Sequence, residues 1–559
     1  MHFHYMILTM RRTFFLLAGI VAISILLRFY QLGDVPVGLH RDEAFLGYNA
    51  YSIAKTGRDM TGKFLPLHSE SFLYSPMGYS YISLPFITFF GLNAFSVRFA
   101  SALFGSLTIL VTFFLVRQLF FTSKIHEQLG LASAFFLAIS PWHINVSRTA
   151  TENTIVVFFI ALGVLAYAYW MRTYRWYYLV GAFASFGITL GIYQAPRIFL
   201  PFFLPLLFFT FWKQIKKQIV MNGLLFFIII LLPFVFILQS PSLSLRIRTV
   251  SIFANTETQL TLDEQIREDG LGNRFLTRFY HNKFTAYGAQ VLQNYFDHFS
   301  YRFLFIGDAL PLRYRIPNSG LLYLFELPLL LLGLWSMLRD QKRLGYFFAG
   351  WVLLAPVGSA LTFDDIPNLQ RTLIIFPALS IIAAYGLVTL GQNVKMYRRL
   401  LIAIGGIFIL LSILQYLHQY YIHAVVHQPW YRQEGYQELV KKVDTRLSSY
   451  QKAIITNRET APTIFFLFYG KYDPATFQKE TKNSVLRDFD RVGFATYEFS
   501  QEECPLRDVT NKDGSMITTG QQGILYVDSG FCKNMTYGRL LNTIERSDHS
   551  NVFKIYDLP

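Results

Sequence analysis

Apolar runs close to 20 residues long recur along the first three quarters of the chain, and an α-helix of about that length crosses the roughly 30 Å hydrocarbon core of a bilayer. The clearest fall at 13–30, 99–120, 129–144, 154–171, 177–193, 198–212, 219–238, 320–338, 344–361, 373–390 and 400–420. They predict about eleven membrane-spanning helices. From Gln428 the pattern changes: the apolar runs shorten to strand length at 453–456, 493–497 and 523–528, with a helix-like stretch at 462–469 between the first two. Short strand-like runs alternating with helix predict a small α/β domain of roughly 130 residues. The chain therefore reads as a polytopic α-helical membrane part, 1–427, followed by a small α/β domain, 428–559.

Composition supports this division. Of 559 residues, 53% are hydrophobic and 17% aromatic, and only 15% are charged, too apolar for a soluble chain of this length. The net charge of +15 would suit nucleic acid if it were clustered. Instead the basic residues sit in alternate short loops, at Arg11 and Arg12, Lys124, Arg172 and Arg175, Lys213, Lys216 and Lys217, Arg339, Lys342 and Arg343, and Lys395, Arg398 and Arg399. This positive-inside pattern predicts a multi-pass protein of the cell membrane with a cytoplasmic N-terminus, partnered by the lipid bilayer and not by nucleic acid. Residues 1–30 lack a small-residue cleavage site, so they read as an uncleaved first span. An odd span count places the C-terminal domain outside the cytoplasm. There Cys504 and Cys532, the chain's two cysteines, are expected to pair.

The outward loops include 31–78 and 239–319, the latter too long to be structureless and expected to fold onto the membrane surface. In the first loop, Leu46, Ala50, Ile53 and Ala54 follow Asp42 at helical spacing, predicting a short helix at the interface. Asp42 is then either an N-cap, with Glu43 a first-turn acid favoured by the helix dipole, or a chemical group; spacing alone leaves both open. Glu152 is equally a helix-start acid or a functional one. Arg197 and Arg371 stand at outer ends of spans, where an arginine either snorkels to the interface or acts. His143 beside Trp142 reads as part of an interfacial aromatic cluster.

The string HRDEAFLGYNAYSIAKTG, followed by FGLNAFSVRFASALFG, SPWHINVSRTATEN, IYQAPRIFLP and NLQRTLIIFPALSIIAAYGL in that order, resembles the GT-C glycosyltransferases of the protein O-mannosyltransferase and aminoarabinose-transferase type. The resemblance implies transfer of a sugar from a polyprenyl-phosphate carrier to a hydroxyl on a protein, lipid or glycan at the outer membrane face. By position, Asp42 matches the family's catalytic aspartate and Glu43 its neighbour. An acceptor hydroxyl has a high pKa, so a carboxylate within reach must take its proton as it attacks, and partial desolvation would make that carboxylate a better base. One base and a single displacement imply inversion.

Donor phosphate calls for arginine forks and hydrogen-bond donors. The resemblance makes Arg371, Arg197, Tyr193 and Arg148 the candidates, with Glu152 and Tyr79 on the acceptor side. Related transferases often carry a lysine in a Pro- and Tyr-bearing segment of the first loop; here Ser75 stands in that place. No cofactor is called for. The adjacent acids Asp364 and Asp365, without further ligands, are weak grounds for a divalent metal.

Two other readings compete. A transporter or flippase of a lipid-linked substrate predicts charges buried within facing spans and internal repeats, whereas here the informative charges cluster in outer loops and no repeat is visible. A non-catalytic scaffold predicts that Asp42 and Arg371 are dispensable.

Overall fold

The computed structural model describes residues 2–69, 75–238, 248–270, 272, 274–393, 398–484, 492–510 and 516–558. Residues 70–74 before Ser75, the start of the long loop at 239–247, and Lys395 lie outside them. The chain forms two compact units, the first comprising Met1–Tyr30, Ser101–Ser147 and Thr151–Leu417, the second Gln31–Ala100, Arg148–Ala150 and His418–Pro559.

A helix occupies each of the eleven predicted apolar stretches, but the helices differ in length. Six among the described residues are long and apolar enough to cross a membrane: Arg11–Phe29, Ala94–Leu119, Glu152–Thr173, Ile219–Ile237, Leu373–Gln392 and Ala403–Val426. A seventh arises if His126–Ile139 and Pro141–Ser147, bent by 57° at Ser140, count as one span. Trp176–Ile192 and Ala195–Thr210 are apolar but shorter. The stretch 344–361 is broken into Lys342–Leu354 and Val357–Ala360 at Pro356, which cannot supply the amide that a continuous helix requires. The helix Gly78–Phe90 was not foreseen, being only 13 residues long with Pro85 inside it.

Within the first unit, the helices Glu326–Asp340 and Ala378–Asn393 meet backbone to backbone. A Cβ added at Gly333 would lie 1.9 Å from the Ile382 carbonyl oxygen, and one at Gly386 would lie 2.1 Å from that of Leu329. Small residues at such a seam allow the close approach on which helix association in lipid depends. Trp142 is buried on the same unit's core, edge-on to Phe303 and Phe376, and its indole donates to the Leu369 carbonyl at 2.8 Å. The SPWHIN segment thereby fixes the start of the NLQR loop.

In the second unit a five-stranded sheet runs β2-β1-β5-β7-β6. Its strands are β1 (Lys452–Thr456), β2 (Tyr497–Ser500), β5 (Ile524–Ser529), β6 (Arg539–Glu545) and β7 (Asn551–Asp557); β3 (Arg507–Thr510) and β4 (Met516–Thr519) form a separate antiparallel pair. β1 lies parallel to β2 and β5, while β7 is antiparallel to β5 and β6. The second predicted strand starts later than expected because Phe494 and Tyr497 exchange backbone hydrogen bonds in a tight turn, so pairing with β1 begins only at Tyr497. Cys504 and Cys532 are bonded.

The first-loop helix Arg41–Thr56 belongs to this unit. Tyr48 donates to the Tyr472 carbonyl, and the Gln478 amide reaches Ser52, Thr56 and the Asp59 carbonyl. Gly47 lies so close to Val97 and Phe468 that an added Cβ would stand 2.5 Å and 2.8 Å from their side chains.

Gly386→Val is expected to force the two helices of the first unit apart and destabilise it by about 3 kcal/mol or more, read as a lower melting temperature of the purified protein in detergent. Gly181→Ala, where an added Cβ meets nothing within 4 Å, is the control expected to melt like the parent.

Candidate active site

Asp42 sits in the second position of the helix Arg41–Thr56, and the N-cap is His40. Thus Asp42 is not the cap that spacing alone allowed. The His40 imidazole accepts the Asp42 amide at 3.3 Å, while the Glu43 carboxylate accepts the His40 amide at 3.2 Å, a reciprocal cap. With the cap supplied by its neighbours, the Asp42 carboxylate points elsewhere. Its oxygens lie 3.4 Å from His40 Nδ1 and 3.8 Å from Arg41 Nε, and its side chain is 38% exposed.

Glu43 is built in the opposite way. It is buried, with both carboxylate oxygens taken by Arg98 at 3.0 and 3.1 Å and a third bond from the Ala150 amide at 2.7 Å. Arg98 is fully buried, and its remaining donors go to the carbonyls of Leu32, Pro36 and Gly38. Gly38 holds φ at +72°, and a Cβ there would meet the Arg432 carbonyl at 2.6 Å, so only glycine fits where the loop turns into this arginine. Burial acts to raise the Glu43 pKa, but the Arg98 charge and hydrogen bond, with the Ala150 and His40 amides, outweigh it and hold it below the usual 4.5. Arg98 was not singled out from sequence; the available signal was an arginine one residue before an apolar span.

Arg148 is buried beside the same loop, donating to the carbonyls of Val35 and Gln31 and to the Tyr420 hydroxyl, with its guanidinium over the Tyr420 and Tyr421 rings. Tyr79 is buried and donates to the Val97 carbonyl at 2.7 Å. The Ser75 hydroxyl is buried with no partner among the described residues.

In the first unit the structure brings Arg371 and Tyr193 together through a side-chain hydrogen bond. The Arg371 fork also holds Asp364 at 2.9 and 3.0 Å, and its other terminal nitrogen reaches Thr362 and the Asp364 carbonyl. Arg197 directs Nε and Nη2 to the Leu190 carbonyl in the last turn of the helix before it. Glu152 is the first residue of its helix, after Thr151 at the N-cap. His143 is fully buried, with Nδ1 2.8 Å from Arg28 and its ring edge-on to Phe376.

His298, also unforeseen, organises the Arg371 loop. Its Nδ1 donates to the Asn294 carbonyl, leaving Nε2 to accept the Asn368 amide and meet the Ser359 hydroxyl. Asn368 in turn accepts the amides of Gln370 and Arg371. Burial, and further the Arg371 charge, push the His298 pKa down to about 4 against the pull of the Asn294 carbonyl, so the ring is neutral at physiological pH.

The loop acids are separated by arginines: Asp364 by Arg371, Asp365 by Arg313 at 2.8 Å, and Asp308 by Arg302 at 2.9 Å. Among the described residues no group of three or more His, Cys, Asp or Glu side chains is arranged to hold a metal ion.

The fold is shared with solved structures of ArnT. ArnT from Cupriavidus metallidurans in the apo state aligns over 96% of this chain and 97% of its own, with a TM-score of 0.52 at 12% identity. ArnT from the same organism bound to undecaprenyl phosphate aligns over the same shares, 96% and 97%, at a TM-score of 0.50 and 13% identity. At such identity the likeness is one of fold. Residues 74–237 match the family model described as dolichyl-phosphate-mannose-protein mannosyltransferase, a stretch that includes Arg148, Glu152, Tyr193 and Arg197 and excludes Asp42 and Arg371. No curated protein matches the chain by sequence.

Removing either member of the Arg98–Glu43 pair strands a buried charge, so Glu43→Ala or Arg98→Ala is expected to destabilise the second unit by about 3–5 kcal/mol. Because the folded pKa of Glu43 is depressed, its contribution is fully present above pH 4.5 and is lost as pH falls through the lower folded value. Melting curves of the parent across pH 3–7 are expected to show this acid loss, and Glu43→Gln to flatten it.

Proposed function

We propose that this chain transfers a sugar from a polyprenyl-phosphate donor to a hydroxyl of a protein, lipid or glycan at the outer face of the cell membrane. The observation that carries the reading is Asp42, a 38% exposed carboxylate at a helix start whose cap and adjacent ion pair are supplied by other groups. The GT-C fold, the family description naming dolichyl-phosphate mannose, and the undecaprenyl phosphate held by ArnT support a lipid-phosphate donor. The topology that goes with it has about eleven spans, a cytoplasmic N-terminus and an extracytoplasmic C-terminal domain.

In this mechanism Asp42 takes the acceptor proton as the hydroxyl oxygen bonds to the anomeric carbon. The bond to the donor phosphate breaks on the opposite side, and its electron pair leaves with the polyprenyl phosphate. A phosphate leaves without a general acid, so one carboxylate suffices and the anomeric configuration inverts. Glu43, locked by Arg98, positions Asp42 and stays out of the chemistry. Arg371 and Tyr193 take the donor phosphate, which replaces Asp364 on the arginine fork; the Asp364 side chain is 41% exposed and free to swing into water. Glu152 is assigned to the acceptor side.

Membranes containing the protein, given labelled polyprenyl-phosphate sugars, are expected to transfer label, and Asp42→Asn to lower kcat by about 10²–10⁴-fold. A product that retains the donor configuration, or full transfer by Asp42→Asn, overturns the reading. Arg371→Lys, which loses the fork, is expected to raise the donor KM about tenfold, whereas Asp364→Asn, which removes the competing carboxylate, is expected to lower it.

A further inference from the structure

The helix Lys283–Asp297 buries a polar side chain and exposes apolar ones. Asn294 is buried and donates to the carbonyls of Ala360 and Thr362, and His298, just past the helix end, is buried against Ser359. Its outward face carries Phe284, Leu292 and Phe296, with Phe284 89% exposed. These positions follow one another at multiples of four, so they form one stripe along the helix. The preceding helix, Arg274–Tyr280, has no buried residue and exposes Phe275, Leu276, Phe279 and Tyr280. So many large apolar side chains exposed on two successive helices are unfavourable in water, and they mark a contact with another apolar phase.

Length and charge identify that phase. At 7 and 15 residues the two helices are too short to cross a bilayer. Exposed Arg274, Arg278 and Lys283 accompany the aromatic stripe, the combination that lies along a lipid interface with rings at the acyl boundary and cations at headgroup phosphates. The stripe is also continuous with lipid-facing surface: Tyr295 donates to the Leu353 carbonyl at the end of Lys342–Leu354, an apolar helix that leaves Leu353 half-exposed. The neighbouring helix Thr256–Glu268 carries Glu257, Asp263, Glu264 and Glu268 and suits the aqueous side.

We propose that Arg274–Tyr280 and Lys283–Asp297 lie in the headgroup region of one bilayer leaflet, with their phenylalanines at the acyl boundary and Arg274, Arg278 and Lys283 at lipid phosphates. The proposal rests on the reading of the chain as membrane-spanning. The lipid-seated helix then braces, through His298 and Asn368, the loop that carries Arg371.

The two native cysteines are bonded to each other, so one introduced cysteine is a unique labelling site. The full-length protein is labelled with an environment-sensitive fluorophore at Phe284→Cys or Phe279→Cys and placed in nanodiscs of phosphatidylcholine and phosphatidylglycerol. Nitroxides are attached to the lipids high or low on the acyl chain. Both labels are expected to emit at blue-shifted wavelength and to be quenched about twofold or more better by the high nitroxide than the low one. Glu264→Cys, on the acidic helix, is expected to respond to aqueous iodide instead. Leu411→Cys, exposed on the apolar span, reports the membrane reading separately. Lipid quenching at 411 with iodide quenching at 279 and 284 overturns the interfacial seat alone. Iodide quenching at 411 overturns the membrane reading itself.

Discussion

One buried ion pair organises the end of the chain that carries the candidate base. Arg98 holds Glu43 with two hydrogen bonds and the loop carbonyls of Leu32, Pro36 and Gly38 with the rest of its donors, so a single guanidinium fixes both the path of residues 32–38 and the start of the helix they lead into. Such a pair gains little over an apolar packing of the same volume, because taking both charges out of water opposes their attraction. What it provides is geometry: a guanidinium has directed donors, and only one arrangement of the loop satisfies all of them. The acidic residue that does not take part, Asp42, is thereby presented at a defined point on the surface of its unit.

The Arg371 loop is organised by neutral groups instead. Trp142 holds Leu369, His298 holds Asn368, and Asn368 holds the amides of Gln370 and Arg371. With the imidazole kept neutral by burial, His298 does not compete with Arg371 for an anion. The two candidate centres thus use opposite means: a charge pair that silences one carboxylate, and a neutral scaffold that leaves one arginine its charge.

Periodicity made the helices legible, since helix fills each apolar run even where it breaks in two, and it placed β1 and β5 where the apolar run was short and continuous, while β6 and β7 were not foreseen. It failed where a local interaction overrode the pattern: the turn at Phe494, the break at Pro356, and the short helix containing Pro85. Among candidate site residues, motif and loop position agree in pointing to Asp42, Arg371 and Tyr193. Adjacency in sequence does not reveal which of the two carboxylates, Asp42 or Glu43, meets a buried arginine, and the structure gives Arg98, 55 positions away, to Glu43. A guanidinium at a span end reads alike whether its partner is an anion or a backbone carbonyl, and both Arg197 and Arg148 donate to carbonyls. His298 carried no signal at all, because its role depends on Ser359 and Asn368, far along the chain.

The first-loop helix finds its packing partners at the other end of the polypeptide; the contact between Gln478 and Ser52 joins residues 426 apart. During synthesis that helix is among the first segments made and among the last to be completed, since Tyr472, Phe468 and Gln478 emerge only after the long apolar helices have been made. Until then Glu43 can pair with Arg98, but the face carrying Gly47, Tyr48 and Ser52 has nothing to cover it. The chain is in this sense proofread by its own length: a polypeptide released before the C-terminal sheet is made retains its spans yet lacks the support for the carboxylate proposed to act.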